Sequence, residues 1–350
     1  MMNVLSLFDG IGCGRIALDR AGIPVNVYFA SETDDIAKDI ATANYADITE
    51  IGDVKTVAYV GNGIVSEIGF QNGAPTLLIG SNNMLDGYDR IHGYQATNGQ
   101  YYPITSLEEY MNLKAQGLSF KGEAYLFWEY VRVLRQSAPK YFLYENVKVN
   151  KELQAIITEA LGVEPIEINS SLVSAQNRAR FYWTNIPMTE LPEDRQIYLT
   201  GILDPNADNT DISDSDTVQK SFWTFLEKYG YIPECFNAYN ATEITSKAPT
   251  LSRGSMVTSS CAVTLFVAAE EGTHVVMDGI FDYAFPIHLP DGNYNIRRLS
   301  IKEMERLQTI PEGYVDNAST SISKKGQLIG TAWTVDVIAW ILSFIPEEDR

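Results

Sequence analysis

A glycine-rich turn near the amino terminus combines residue types that could hold a nucleotide-like ligand. Residues 3–8 form an apolar run that predicts a strand, Asp9-Gly10-Ile11-Gly12-Cys13-Gly14 predicts a turn, and residues 15–21 have helical spacing. Glycine lets a backbone bend sharply and approach a ligand where a side chain would collide. The order of strand, glycine turn and helix therefore predicts a cofactor cradle.

Acidic residues follow this turn at informative positions. The predicted strand 25–31 ends at Glu32, where a carboxylate can accept hydrogen bonds from the hydroxyls of a ribose. Because Asp34 and Asp35 come next, and acidic groups are favourable in the first turn of a helix, Glu32 could instead be a helix amino-terminal charge. Both interpretations stay open at this point.

Two further polar segments end predicted buried strands. The apolar run 76–80 leads into Ser81-Asn82-Asn83, and the run 140–144 leads into Glu145-Asn146-Val147. Ligands and reacting groups collect at the carboxyl edge of an α/β sheet, where parallel strands end. We therefore expect both segments at the same sheet edge.

Downstream, Gln176-Asn177-Arg178-Ala179-Arg180 places two guanidinium groups two residues apart. On a strand, the side chains of residues 176, 178 and 180 would point to one face and could bind a ligand together. The alternative is that charges alternating along an edge strand are simply solvated.

Taken in order, these segments resemble the motifs of the DNA cytosine-5 methyltransferases. The pattern Phe8-x-Gly10-x-Gly12 is similar to the first motif of that family, which cradles the methionine part of S-adenosylmethionine. The resemblance implies cofactor contacts from Phe8, Gly10, Gly12, Glu32 (ribose), Asp53 and Val54 (adenine), Ser81, and Thr331 and Trp333 in a segment similar to the tenth motif.

The resemblance also implies a base-binding site. Glu145, in a Glu-Asn-Val motif, would contact N3 and the exocyclic amine of a flipped cytosine. Arg180 would bind the cytosine O2, and Arg178 would support the neighbouring loop. The implied partner is double-stranded DNA.

The fold class implied is α/β, a Rossmann-like S-adenosylmethionine-dependent methyltransferase fold with a smaller, irregular target-recognition domain. Residues 1–187 would form the catalytic and cofactor-binding domain, 188–296 the recognition domain, and 297–350 would return to complete the first. Within the returning part, Ser300 and Glu303 predict a capping box at a helix start.

The chain departs from the family at the nucleophile. Asn82-Asn83 stands where the family carries Pro-Cys, so Asn83 occupies the catalytic position. In the family a thiolate adds to cytosine C6, and a carboxamide cannot perform that addition.

Three hypotheses follow from this departure. The first is a DNA cytosine-modifying enzyme that acts on a flipped, possibly pre-modified base by a non-covalent transfer route, using S-adenosylmethionine or a modified sulfonium analogue. The second is a catalytically silent pseudo-methyltransferase that binds DNA or an active methyltransferase as a regulatory partner. The third, ordinary cytosine-5 methylation with another nucleophile, ranks last on chemical grounds.

Charge and composition bear on partners and compartment. The net charge is −19, and residues 188–296 hold 16 acidic against 5 basic side chains. This balance indicates either a solvated surface or a surface for a basic protein partner. Without a run of about 18 apolar residues or a secretory signal, we expect a cytoplasmic protein with no membrane contact. Cys13, Cys235 and Cys261 have no metal-ligand spacing, so no metal is expected.

Four other segments give local expectations. The glycines and polar residues of 85–100 predict a flexible loop rich in turns. The spacing within 108–113 and 125–134 predicts helices. Lys247 to Arg253 is the strip of the acidic region most suited to contact phosphates or base edges.

Overall fold

The computed structural model of the chain describes residues 1–82, 86–204, 207, 216–231, 233–254, 263–269 and 293–350. Its strands are β1 (Met2–Leu7), β2 (Val25–Ser31), β3 (Ile48–Glu50), β4 (Ala58–Val60), β5 (Gly63–Ser66), β6 (Gly69–Asn72), β7 (Leu77–Ser81), β8 (Tyr88–Asp89), β9 (Gly93–Gln95), β10 (Tyr101–Tyr102), β11 (Tyr141–Val147), β12 (Ile166–Asn169), β13 (Ala179–Thr184), β14 (Cys235–Asn237), β15 (Thr242–Glu243), β16 (Val263–Ala269) and β17 (Asn293–Arg298).

The helices predicted within 15–21, 108–113 and 125–134 are confirmed by the structure. The helices of the described residues are α1 (Cys13–Arg20), α2 (Asp35–Asn44), α3 (Leu107–Ala115), α4 (Leu126–Ser137), α5 (Lys151–Leu161), α6 (Asp216–Tyr229), α7 (Ile301–Leu307), α8 (Ile322–Thr331) and α9 (Val335–Leu342). Among them, none is long and apolar enough to cross a bilayer.

Contacts between residues divide the chain into two compact units. The first contains Met1–Asn169, Ala179–Pro192 and Val335–Arg350, and the second contains Ser170–Arg178 and Glu193–Thr334. Only the last 16 residues of the predicted returning segment therefore group with the first unit. The functional division into catalytic and recognition domains stays a prediction.

A seven-stranded sheet, in the order β12-β13-β11-β7-β1-β2-β3, organises the first unit. The five strands from β11 to β3 are parallel, and β13 runs antiparallel to β11 and β12. Helix α4 packs against β7, and α1 packs against α9. The Rossmann-like α/β fold class is confirmed.

The buried strands and helices of this unit follow from apolar sequence. β11 is buried along almost its whole length, as expected of a parallel strand covered on both faces. Large aromatic side chains dominate the core, and Trp128, Tyr144 and Trp183 are fully buried in one cluster. Each such ring contributes about 1.5–3 kcal/mol by its burial.

The prediction of a flexible loop over 85–100 is wrong for residues 86–100. Strands β8, β9 and β10 form an antiparallel sheet there, and Ala96 bridges to Phe120. Tyr94 and Ala96 are buried in the same core cluster as α4. Gly93 adopts a φ of 87°, and a side chain there would collide with the backbone carbonyl of Tyr102. The glycine that suggested a loop thus permits close strand pairing.

The second unit contains a four-stranded antiparallel sheet in the order β15-β14-β16-β17. Helix α6 contributes Phe222 and Phe225 to an apolar cluster with Phe236 of β14. The predicted capping box is confirmed, since Ser300 accepts a hydrogen bond from the Glu303 amide and the Glu303 carboxylate accepts one from the Ser300 amide.

Candidate functional site

The glycine turn follows β1 and has a constrained backbone. Phe8 has a φ of 59°, and Gly10 and Gly12 have φ values of 62° and 82°. The left-handed region is costly for a residue with a side chain, and the Ser31 carbonyl holds Phe8 there by accepting its amide at 2.8 Å. A Cβ at Gly10 would meet no atom within 4 Å, so space lies in front of the turn.

Glu32 binds the glycine turn directly. Its Oε2 accepts a hydrogen bond from the Gly10 amide at 2.9 Å, and its Oε1 accepts from Thr33 and Asp34 at 2.6 and 2.8 Å. Asp34, not Glu32, is the N-cap of α2, because its carboxylate accepts from the first-turn amides. Each Glu32 oxygen keeps acceptor capacity for a ribose hydroxyl.

Two carboxyl groups beside this turn were missed by the sequence analysis. Asp9 is 9% exposed, accepts hydrogen bonds from Ser6 and Tyr28 through Oδ1, and burial raises its pKa to about 6. Burial, with Asp9 and Glu32 nearby, raises the pKa of Glu50 to about 8. Within the described residues, Asp9 Oδ2 and both Glu50 oxygens are buried without a hydrogen-bond partner. Such a group of acids favours a cationic ligand.

Asp53 and Val54 lie in a tight turn after β3. Asp53 is the N-cap of the 3-10 turn Val54–Thr56, and its carboxylate pairs with Lys55 Nζ at 2.8 Å. Glu67, from the connection between β5 and β6, accepts a hydrogen bond from the Asp53 amide at 3.3 Å. No sequence pattern predicts the contact of Glu67 with this turn, because the contact requires the β4–β6 sheet to fold back onto it.

The strand register brings several predicted residues to one sheet edge. Leu7 of β1 pairs with Gly80 of β7, which pairs with Tyr144 of β11. Ser81 and Glu145 are therefore direct neighbours, one position further along. β1 and β11 are separated by two strand spacings, about 10 Å. Asn83 lies outside the described residues.

Asn82 stands where the family has proline, and it is held by hydrogen bonds. Its Nδ2 donates to the Glu123 carbonyl at 2.8 Å, and its Oδ1 accepts from the Tyr144 hydroxyl. Its own carbonyl accepts from Asn146 Nδ2 at 2.8 Å. A proline could make none of these side-chain bonds, so they depend on the asparagine at this position.

Glu145 and Arg180 form a largely buried ion pair. Glu145 Oε1 and Arg180 Nε are 3.2 Å apart, with side-chain exposures of 8% and 13%. The antiparallel pairing of β11 and β13 causes this proximity, because Glu145 pairs with Tyr182 and Val147 pairs with Arg180. The two residues predicted to hold the base are thus adjacent.

The prediction that residues 176, 178 and 180 share one strand face is wrong. Strand β13 begins at Ala179, and Gln176 and Arg178 belong to the second unit. Arg178 is 5% exposed and donates to the carbonyls of Leu251 and Ala332 at 2.7 and 3.2 Å. These contacts hold segments of the second unit together, while the predicted support of a base-site loop stays a prediction.

Thr331 and Trp333 also lie in the second unit. Thr331 ends α8 and donates its hydroxyl to the Gln327 and Leu328 carbonyls at 3.2 and 3.0 Å. Trp333 is 8% exposed. Their role in cofactor binding stays a prediction.

Lys247 is wrongly predicted to contact phosphates. Its Nζ donates to the carbonyls of Ser171, Ser174 and Ile197 at 2.6–3.0 Å, and burial lowers its pKa. The ammonium group instead joins three backbone segments. Arg253 remains exposed at the other end of the strip.

The thiols within the described residues are poor candidates for a replacement nucleophile. Neither Cys13 nor Cys235 forms a disulfide, and both are buried. Burial raises the pKa of Cys235 to about 12, so the thiolate is scarce at neutral pH. Cys261 lies outside the described residues.

Known proteins are similar to this chain in sequence over one segment and in fold over nearly its whole length. Residues 2–67 match the family model for C-5 cytosine-specific DNA methylase. The fold is similar to a methyltransferase from Entamoeba histolytica, EhMeth (13% identity, TM-score 0.65, 100% of this chain and 99% of that one). It is also similar to a DNMT2 mutant from Spodoptera frugiperda, with 15% identity, a TM-score of 0.60, and coverage of 98% of this chain and 99% of that one. The Dnmt2 methyltransferase of S. pombe is similar at 16% identity and a TM-score of 0.57, with coverage of 98% of this chain and 97% of that one.

The sheet order and these similar structures establish a Rossmann-like fold, which the chain shares with solved methyltransferases. The sequence similarity to the C-5 cytosine-specific DNA methylase family lies in residues 2–67.

Proposed function

We propose that this protein binds S-adenosylmethionine at the glycine turn and acts on a cytosine flipped out of DNA, by direct transfer without a covalent enzyme adduct. The observation that carries the proposal is the Glu145–Arg180 ion pair. The pair lies two strands from the glycine turn in one sheet. A spacing of about 10 Å would let a bound base reach the cofactor's sulfonium group.

The cofactor site suits a cationic nucleoside ligand. The space at Gly10 would admit the ligand's chain, and Glu32 would accept from the ribose. Burial raises the pKa of Asp9 and of Glu50 beside the turn, and a bound cation would favour the ionised form of both carboxyls. Bound there, the sulfonium would supply an electrophilic methyl group.

Glu145 and Arg180 have complementary roles toward cytosine. The Glu145 carboxyl would accept from the exocyclic amine or, when protonated, donate to N3, and Arg180 would donate to O2. Extruding the base costs a few kcal/mol of stacking, which these contacts would offset.

A nucleophile on the base itself would replace the missing thiol. Its nitrogen or oxygen lone pair would form a bond to the methyl carbon while the carbon–sulfur bond breaks and its electrons pass to sulfur. The acceptor's proton would pass to a carboxylate, for which Glu145 is the nearest candidate, or to water. An exocyclic amine or a hydroxyl on a pre-modified cytosine satisfies this requirement.

Gly10→Ala tests the cofactor site, with Gly22→Ala as its matched control. Both glycines have a positive φ and open space at the Cβ, so each substitution carries similar backbone strain. We expect calorimetry to show S-adenosylmethionine binding to the native protein and to Gly22→Ala, weakened about tenfold or more in Gly10→Ala, where the methyl group would enter the cradle. Equal binding by the two variants would contradict the assignment.

A regulatory role is the alternative outcome. A protein that binds both S-adenosylmethionine and DNA but forms no product on any cytosine would act through binding alone. The acidic 188–296 segment would then be the first surface to test for a basic protein partner.

A further inference from the structure

A buried ionic network joins α3 to α4 in the first unit. Glu129 is fully buried, and its Oε1 accepts from the Tyr110 hydroxyl and from Lys114 Nζ, both at 2.5 Å. Its Oε2 accepts from Arg132 Nε at 2.6 Å. Burial and the nearby Glu129 raise the pKa of Tyr110, so this hydroxyl stays protonated and donates.

Arg132 extends the network to the turn that follows β3. Its NH2 donates to the Val54 carbonyl at 3.0 Å, and its NH1 donates to Gln136 Oε1 at 3.1 Å. The side chain is 7% exposed, so these bonds are shielded from water. A guanidinium group can serve three acceptors at once because its donors are arranged in a rigid plane.

The Val54 carbonyl is a sensitive point of that turn. Val54 is the first residue of the 3-10 turn whose N-cap is Asp53. Fixing this carbonyl fixes the Val54–Lys55 peptide plane, whose amide donates to Asp53 Oδ1 at 3.0 Å, and so helps to orient the Asp53 carboxylate. Two side chains from other elements bind this turn. Arg132 donates to the Val54 carbonyl, and Glu67 accepts from the Asp53 amide.

We infer that Arg132 is a positioning residue for the adenine end of the cofactor site, and that α3 acts on that site through Glu129. The inference rests on the proposed cofactor site, where Asp53 would accept from the adenine amino group. Helix α3 belongs to the folded 86–124 segment that follows the altered Asn82-Asn83 position. This segment and the cofactor turn are therefore coupled through two buried charges rather than through a flexible loop.

The energetics support coupling rather than two independent contacts. Removing one partner of a buried ion pair is strongly destabilising because it leaves the other charge uncompensated. Arg132 is held by Glu129, and Glu129 is held by α3, so displacement at one end is transmitted to the other. Removing the side chain of Lys114 or Tyr110 would therefore shift Glu129 and Arg132, and would weaken the hydrogen bond from Arg132 to the Val54 carbonyl.

Arg132→Lys tests the inference, and Arg135→Lys is its matched control. Both arginines are on α4 and donate to a backbone carbonyl of another element, Val54 for Arg132 and Ala160 for Arg135. Lysine keeps the charge opposite Glu129 but loses the planar, multiple donors. The measurement is the dissociation constant of S-adenosylhomocysteine and of its inosine counterpart, in which a carbonyl replaces the adenine amino group.

We expect Arg132→Lys to bind S-adenosylhomocysteine about five- to tenfold more weakly, and to bind the inosine counterpart with little change. The preference for adenine would therefore fall by the same factor, while Arg135→Lys would keep it. Equal weakening toward both ligands would reduce Arg132 to a merely structural role and overturn the inference, as would unchanged binding.

Lys114→Met covers the case in which Arg132→Lys does not fold. Its ammonium group is partly exposed, so its loss is better tolerated than that of Arg132. A smaller fall in adenine preference is expected, and an unchanged preference would overturn the role of α3. Absence of S-adenosylhomocysteine binding by the native protein would instead refute the proposed cofactor site, and the inference with it.

Discussion

Glu145 and Arg180 are the residues on which the proposed base recognition depends. We predict that Glu145→Gln lowers the preference for an oligonucleotide with an unpaired cytosine over one with an unpaired thymine by about tenfold, because a neutral amide binds the amine and N3 less well. The measurement is a competition titration at fixed salt. Glu167→Gln, which alters an exposed ion pair with Lys148 in the same sheet, should leave the preference intact. An unchanged preference in Glu145→Gln would argue against the base site.

Glu50 should make stability depend on pH. Its pKa is raised by burial to about 8 in the folded protein, against an ordinary value of 4.5, so between these pH values the folded state holds a proton that the unfolded state releases. Stability should therefore fall as pH rises from about 5 to 8. Glu50→Gln cannot ionise and should flatten this slope, as measured by urea unfolding at several pH values. An identical slope in both proteins would be inconsistent with the buried, unpartnered carboxyl.

The two kinds of site residue differ in how far sequence could reveal them. Glu145 and Arg180 were identified because they occur in recognisable motifs on neighbouring strands, and the structure places them together. Asp9, Glu50 and Glu67 have no motif. Their importance arises from burial and from contacts made by separate strands, which local patterns do not encode.

The loop entry after β7 depends on Asn82. Asn82→Ala would remove the acceptor for the Tyr144 hydroxyl and the donor to the Glu123 carbonyl. We predict a loss of about 1–3 kcal/mol in the free energy of unfolding, because the buried Tyr144 hydroxyl would lose its acceptor. Asn98→Ala, in an exposed turn, is the comparison and should change stability by less than about 0.5 kcal/mol. Equal effects would mean that the network adds little.

Elements with strong periodic patterns were predictable, and those fixed by distant pairing were not. Helix α4 and strand β11 follow their apolar residues closely. The sequence around β8, β9 and β10 predicts a loop, because these strands are only two or three residues long and turn residues surround them. Strand β13 begins at Ala179, so it does not include Gln176 and Arg178 as expected. The Arg178 guanidinium instead donates to the carbonyls of Leu251 and Ala332.

For the whole chain, the order of the motifs was more informative than any single one. The resemblance carried by these ordered motifs implied a Rossmann-like fold, and that fold is present. Sequence could not give the grouping of 193–334 with 170–178, since this depends on contacts between segments far apart in the chain. The acidic excess of 188–296 also remains without an assigned partner, and much of that segment lies outside the described residues.

Nucleoside mass spectrometry of DNA tests the central claim most directly. Purified protein and S-adenosylmethionine would be incubated with unmodified, 5-methylated and 5-hydroxymethylated cytosine substrates in parallel, with Gly10→Ala as the cofactor-site control. Direct transfer predicts a methylated product on at least one substrate, absent with Gly10→Ala. No new mass on any substrate, in a preparation that binds S-adenosylmethionine, would contradict the enzyme assignment and favour the regulatory alternative.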